Sequence, residues 1–293
     1  MDWQSICRQI EISTDQDFKP ETITQISGGS INSAFSLKSP EKSYFVKLNR
    51  SDLMPMFEAD TAGLEELANT KTVKVPSVIV CGKTKTHAFL VLEYISFCQS
   101  TKASDRILGQ QMAYLHHLNQ PYFGWHRDNT IGCSEQKNTT TKNWLSFWRE
   151  HRLGFQLQLA AKNGYGGRLQ TSGEQLLIKM DGLFANYQPK PSLLHGDLWS
   201  GNVAIDLKGH PVIFDPACYF GDREADLAMT ELFGGFTDDF YSAYQSVYPL
   251  DPGYNTRKAF YNLYHILNHL NLFGGGYLRQ SENIITMLLA DLS

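Results

Sequence analysis

The chain of 293 residues is 42% hydrophobic and 19% charged, enough for a full core in one large domain or a pair of lobes. A net charge of −4 and an isoelectric point near 6.1 argue against a sequence-independent nucleic-acid binder, which needs a basic surface. Five scattered cysteines without a Cys-x-x-Cys pair, no signal-like N-terminus and no apolar run of roughly 20 residues point to a reduced, cytoplasmic protein with no membrane partner.

Residues 22–26, 34–37 and 43–48 read as three strands joined by turns. Between the first two, Gly28-Gly29-Ser30-Ile31-Asn32-Ser33 suits a phosphate, offering backbone N–H groups with no side chain in the way. A Gly-Gly hairpin is also an ordinary turn. Lys47 follows Tyr44-Phe45-Val46 and, if it faces inward, reaches nucleotide phosphates as a kinase lysine does. Otherwise it is an edge lysine with its ammonium in water. A helix over 56–68 carries Glu58, Asp60, Glu65 and Glu66; Asp60 and Glu58 are the candidates to pair with Lys47. Residues 73–80, broken by Pro76, lead into a strand, and 88–92 form a second, buried one. That strand opens into Glu93-Tyr94-Ile95, where the Glu93 carbonyl and Ile95 N–H would face adenine and Leu92 would line its pocket.

After a polar stretch over 96–102, a helical period begins, with Ser104 or Asp105 as cap and Ile107, Leu108, Met112, Leu115 and Leu118 on one face. His116 and His117 read as packing or surface residues, since no carboxylate or cysteine shares their face at ligand spacing. Residues 119–141 read as loop. A helix over 142–162 places Trp144, Trp148, Phe155 and Leu159 inward, and a further helical segment covers 174–187.

The chemistry concentrates in Leu193-Leu194-His195-Gly196-Asp197-Leu198-Trp199-Ser200-Gly201-Asn202 and in Val212-Ile213-Phe214-Asp215-Pro216. Four residues separate Asp197 from Asn202, as in the catalytic loop of phosphoryl-transfer enzymes. One acid to receive a hydroxyl proton, with an amide and a second acid to hold magnesium, is what transfer from ATP requires. Only ten residues lie between Asp215 and Asp226, too few for a protein-kinase activation segment, and no Ala-Pro-Glu follows. The acceptor is therefore expected to be a small molecule. Asp226 opens a helix, where it caps or braces the catalytic loop. Over 257–273, His265, Asn268, His269 and Asn271 interrupt an apolar pattern, suiting either a polyhydroxyl acceptor or ordinary surface.

With these residues in hand, the chain resembles the fructosamine kinases (ketosamine-3-kinases), a branch of the aminoglycoside-phosphotransferase and choline-kinase superfamily. The resemblance rests on His195-Gly196-Asp197-Leu198-Trp199-Ser200-Gly201-Asn202 and on Phe214-Asp215-Pro216-Ala217 running into Tyr219-Phe220-Gly221-Asp222-Arg223-Glu224. Lys71-Thr72-Val73-Lys74-Val75-Pro76, Phe123-Gly124, Leu267-Asn268-His269 and Leu272-Phe273-Gly274 are similar too. It implies an α+β, protein-kinase-like fold: an N-terminal nucleotide-binding lobe (1–95) with a small antiparallel sheet and one helix, and a mainly helical catalytic lobe (96–293). It implies Asp197 as catalytic base, Asn202 and Asp215 on Mg2+, Lys47 on the phosphates of ATP in the cleft, residues 28–33 as the phosphate-covering loop, and Trp199 beside the sugar. His269 and Asn268 are the further acceptor candidates. The expected substrate is a ketoamine, free or on a glycated protein, phosphorylated at O3 so that the amine is recovered. The family pattern leads one to expect Glu where Asp60 stands, and Ser30 where some relatives carry Cys excludes a redox switch in that loop. An aminoglycoside or other small-alcohol kinase would use the same catalytic residues, whereas a non-catalytic nucleotide-binding pseudokinase is disfavoured because Lys47, Asp197, Asn202 and Asp215 are all intact.

Overall fold

The computed structural model describes residues 1–27 and 31–293, so the expectation for Gly28, Gly29 and Ser30 lies outside the described residues. The chain divides into two units, Met1–Ser104 with Val203–Pro216, and Asp105–Asn202 with Ala217–Ser293.

In the first unit, β1 (Thr22–Ile26), β2 (Ser33–Lys38), β3 (Ser43–Arg50), β4 (Val78–Lys83) and β5 (His87–Glu93) form an antiparallel sheet in the order β1-β2-β3-β5-β4. The two-residue period of a strand sorts its side chains by face. On one face, Tyr44, Val46, Leu48, Phe89 and Val91 pack with Ile6 and Ile10 of α1 (Trp3–Thr14). The intervening residues face the other way, so Lys47 and its cross-strand partner Leu90 share a face. Helix α2 (Met54–Thr70) contributes Phe57, Leu64 and Leu67 to the core of this unit. Because β5 lies between two strands, residues 88–92 are all buried and read as a continuous apolar run. Among the described residues the unit thus holds two α-helices before residue 95, not one; in α1, Ile6 and Ile10 are buried and Trp3 and Cys7 pack beside them. A small sheet of β6 (Phe97–Cys98), β10 (Val203–Asp206) and β11 (Pro211–Ile213) completes it. Lys74 pins this hairpin twice: its carbonyl accepts the Ile213 N–H at 3.0 Å, and its ammonium meets Asp206 Oδ2 at 3.0 Å.

Helix α3 (Lys102–His116) starts earlier than the expected Ser104 or Asp105. Thr101 and Ser104 form a reciprocal cap, the Ser104 N–H donating to Thr101 Oγ1 (3.2 Å) and the Thr101 N–H to Ser104 Oγ (2.8 Å). In the second unit, residues 119–141 are not all loop. The hairpin β7 (Asn129–Ile131) and β8 (Ser134–Gln136) lies within them, with Ile131 the one apolar residue of its two strands and so no apolar alternation to read. The helix expected over 142–162 is split: α4 (Trp144–Trp148) and α5 (Gly154–Lys162) flank a π-turn at Arg149–Leu153. The wider turn shifts the helical register, so Gln156 and Leu157 are buried while Phe155 and Leu159 are only half-buried. α6 (Arg168–Lys179), β9 (Ser192–Leu194), β12 (Tyr219–Gly221), α7 (Arg223–Thr230), α8 (Asp238–Val247), α9 (Tyr254–Phe273) and α10 (Tyr277–Asp291) complete the unit, with β9 pairing antiparallel to β12. Among the described residues no helix is long and apolar enough to cross a membrane.

Candidate active site

Lys47 is buried, and strand alternation turns it toward acids on the same side of the sheet. Its ammonium lies 2.5 Å from Asp60 Oδ2 and 2.6 Å from Asp215 Oδ1. Asp60, and not the exposed Glu58, is thus the helix acid that meets Lys47. The short side chain engages one oxygen; Asp60 Oδ1 is buried with no hydrogen-bond partner among the described residues. Burial works against the Lys47 charge, yet Asp215 and Asp60 outweigh it and hold the ammonium's pKa above the ordinary lysine range. Burial pushes the Asp60 carboxyl up, with Lys47 pulling it back.

Asp215 sits at the exit of the small hairpin with φ +58°, a left-handed conformation that few non-glycine residues adopt. Asp and Asn tolerate it best, and strain of this kind gathers at functional positions. Its side chain is 49% exposed, so its remaining carboxylate capacity faces solvent. Asn49, which sequence patterning does not single out, ties the end of the neighbouring loop to β3, donating to Asn32 Oδ1 (2.8 Å) and the Ile31 carbonyl (3.1 Å).

The second unit holds the candidate catalytic loop. Asn202 Nδ2 donates to the Asp197 carbonyl (2.9 Å) and to Asp197 Oδ2 (3.0 Å), fixing the acid's direction. The Asp197 N–H donates to Nδ1 of His195 at 3.2 Å. Gly196 adopts φ +82°, and a Cβ there would lie 2.0 Å from the Ala217 carbonyl oxygen, so only glycine fits. Asp226 accepts the N–H groups of His195 (2.7 Å) and Gly196 (2.8 Å), bracing the loop, while the cap of α7 is Asp222. Its Oδ2 also lies 3.3 Å from His116 Nε2, whose Nδ1 is 2.8 Å from the Tyr244 hydroxyl. His116 therefore has a carboxylate partner after all, supplied from 110 residues away. Burial raises the Asp226 pKa, but the hydrogen bonds from His116 and the loop outweigh it and hold the acid below its ordinary range.

Asp222, Arg223 and Glu224 are engaged internally. Asp222 accepts the hydroxyls of Tyr261 (2.5 Å) and Tyr187 (2.9 Å). Arg223 donates to the carbonyls of Tyr248 (2.7 Å) and Pro249 (2.5 Å). Glu224 takes a two-pronged bond from Arg257 at 2.7 and 2.9 Å, and burial nonetheless pushes its pKa up to about 7.

The remaining candidates fall in three environments. Leu92 is buried and Ile95 half-buried, while Glu93 turns its carboxylate back onto Ser77 Oγ at 3.1 Å. Trp199 folds its indole over Gly201, where a Cβ would come within 2.3 Å of the ring. Its ring lies 6.2 Å from Phe233, which lies 4.7 Å from His269, giving a run of partly exposed aromatic groups. Asn268 is buried instead, accepting from Gln156 Nε2 at 3.2 Å and donating to the Ile131 carbonyl at 3.4 Å.

Comparison with known proteins gives the family and the fold. The model of the family described as "Fructosamine kinase" matches residues 2–291. A "Probable ketoamine kinase" of Synechocystis is 47% identical, covering 98% of this chain and 97% of the relative. The "Protein-ribulosamine 3-kinase, chloroplastic" of Oryza sativa is 40% identical over 95% of this chain and 82% of its own length. Among solved structures, a candidate fructosamine-3-kinase of Haemophilus somnus superposes with a TM-score of 0.90 at 30% identity, covering 98% and 97% of the two chains. An aminoglycoside phosphotransferase bound to gentamicin matches at a TM-score of 0.63 and 15% identity over 99% and 94%, a likeness of fold alone. The fold is α+β and protein-kinase-like, and the chain belongs to the fructosamine kinase family, a family of phosphotransferases.

Proposed function

We propose that this protein transfers the γ-phosphoryl group of ATP to O3 of the sugar moiety of a ketoamine, as the names of its relatives suggest for them. The observation that carries the reading is Asp197, turned by two hydrogen bonds from Asn202 within a loop braced by Asp226. A sugar hydroxyl at Asp197 gives its proton to the carboxylate as its oxygen bonds to the γ-phosphorus. The bond from that phosphorus to the bridging oxygen then breaks and ADP leaves. Lys47, held by Asp60, takes the phosphates. Adenine is met by the Glu93 carbonyl, the Ile95 N–H and the wall of Leu92, so that residues 1–95 bind nucleotide and 96–293 carry catalysis and acceptor.

Asp215 and Asn202 each offer an atom suited to magnesium. Asp215 offers a carboxylate that is half exposed, and Asn202 is engaged through Nδ2, so its side-chain oxygen is the atom suited to a hard cation. When bound, the ion would offset charge on the transferring phosphates. Trp199 and His269 supply the acceptor's neighbours, with buried Asn268 supporting the His269 helix from behind. A phosphate at O3 makes the adduct labile, so the activity is deglycation, on free or protein-bound amines. Five cysteines with no disulfide support a cytoplasmic setting.

The test is an acceptor panel. With ATP and Mg2+, fructosyl-lysine or ribulosyl-lysine should be phosphorylated while choline and kanamycin are not; turnover of kanamycin alone, or of no acceptor, would sink the reading.

A further inference from the structure

The buried imidazole of His116 stands between neighbours whose donor and acceptor roles can be counted. Arg223 has only N–H groups to give, so the Tyr244 oxygen, 3.2 Å from its Nη1, accepts there. The single hydroxyl proton of Tyr244 is then directed to the other near neighbour, Nδ1 of His116 at 2.8 Å. Nδ1 must be an unprotonated acceptor, which places the ring proton on Nε2, facing Asp226 Oδ2 at 3.3 Å. The opposite tautomer would set a bare nitrogen lone pair against the carboxylate and leave the hydroxyl proton of Tyr244 without its acceptor. His116, Tyr244 and Asp226 are each no more than 1% exposed, so solvent does not repair such a mismatch.

We propose that Tyr244 and Arg223 are positioning residues: they select the Nε2–H tautomer of His116, and thereby keep Asp226 set to hold the His195 and Gly196 N–H groups of the loop that carries Asp197. Arg223 is anchored for this task by the carbonyls of residues 248 and 249 and by stacking over the Tyr248 ring at 3.5 Å. The Gly221-Asp222-Arg223-Glu224 stretch thus acts on the reaction through the ring of a histidine, without meeting the acceptor.

The experiment is a long-range proton–nitrogen spectrum of the full chain, with His116 assigned among the nine histidines by its loss in His116→Gln. It is run beside Tyr244→Phe with steady-state kinetics and a melting curve. The wild type should show Nε2 protonated and Nδ1 bare. Tyr244→Phe should move the ring toward a tautomer mixture and lower kcat about tenfold, the scale of one buried hydrogen bond. KM for ATP should stay within about twofold. A wild-type ring protonated on Nδ1 or on both nitrogens overturns the proposal, as does a tautomer shift that leaves kcat unchanged. The wild-type spectrum alone decides if Tyr244→Phe does not fold. The kinetic arm rests on the ketoamine reading, but the tautomer needs no acceptor, so the two failures are distinguishable.

Discussion

Two acidic stretches of the second unit, Asp197 in its loop and Asp222 to Glu224 at the head of α7, look alike as sequence and differ in what answers their oxygens. Asp222 takes the hydroxyls of buried Tyr261 and half-buried Tyr187, and Glu224 takes the buried Arg257 guanidinium. Asp197 is partly exposed and is turned by an amide that can itself serve a cation. Being an acid in a family-marking stretch therefore does not separate chemistry from architecture; the accounting of hydrogen-bond partners does.

The sharpest way to break this contrast is to remove the acid on one side and the acid's partner on the other. Asp197→Ala should lower kcat at least ~10³-fold, about 4 kcal/mol of barrier, while the melting temperature and ATP affinity hold. Arg257→Met should do the reverse. Leaving Glu224 buried and alone should lower the stability to denaturant by about 3 kcal/mol, with kcat of the folded fraction preserved. Equal losses of turnover in both variants would erase the distinction.

Titration offers a smaller and more local comparison. Glu224 has its pKa raised from 4.5 to about 7, so it stabilises the fold most below pH 4.5, and that contribution fades as pH rises toward 7. Asp206, held by the His210 N–H, Lys74 and the Lys208 N–H, is lowered from 3.8 to about 2. Its contribution is complete above pH 3.8 and fades as pH falls toward 2. Melting temperature followed against pH should lose the first slope in Glu224→Gln and the second in Asp206→Asn. A slope that survives its own substitution assigns the titration elsewhere.

Much of this was legible in the sequence, and what was not has physical reasons. Strand β1 announces itself by β-rich composition, β2 and β3 by alternation, and β5 by a continuous apolar run. The Asp197-to-Asn202 spacing is local, so a linear reading finds it. Helix α1 carries Trp3, Ile6, Cys7 and Ile10 at the three- and four-residue spacing of one helix face, a trace that a motif-led reading of the N-terminus passes over. The π-turn is hidden because a sequence carries no mark of a widened turn, and it alone moves Phe155 and Leu159 off the expected face. The choice between Asp60 and Glu58 needed the helix phase in three dimensions. The roles of His116, Tyr244 and Arg257 depend on partners between 21 and 128 positions away, which no local pattern holds. Asn268 shows the converse: a polar residue in an apolar helix reads as accessible, yet its amide is committed inside.

The hairpin of β10 and β11 has one further consequence, for the order in which the protein can assemble. It belongs with residues 1–104, although almost a hundred residues of the other unit are made before it. The Lys47 ion set closes only with Asp215, and the Lys74 clip spans 132 positions. A ribosome delivers the chain from its N-terminus, so the first unit emerges early but stays unfinished, its buried lysine lacking one of two carboxylates, until residue 215 has cleared the exit tunnel. The unit begun first is then finished only after the first long segment of the other has been made.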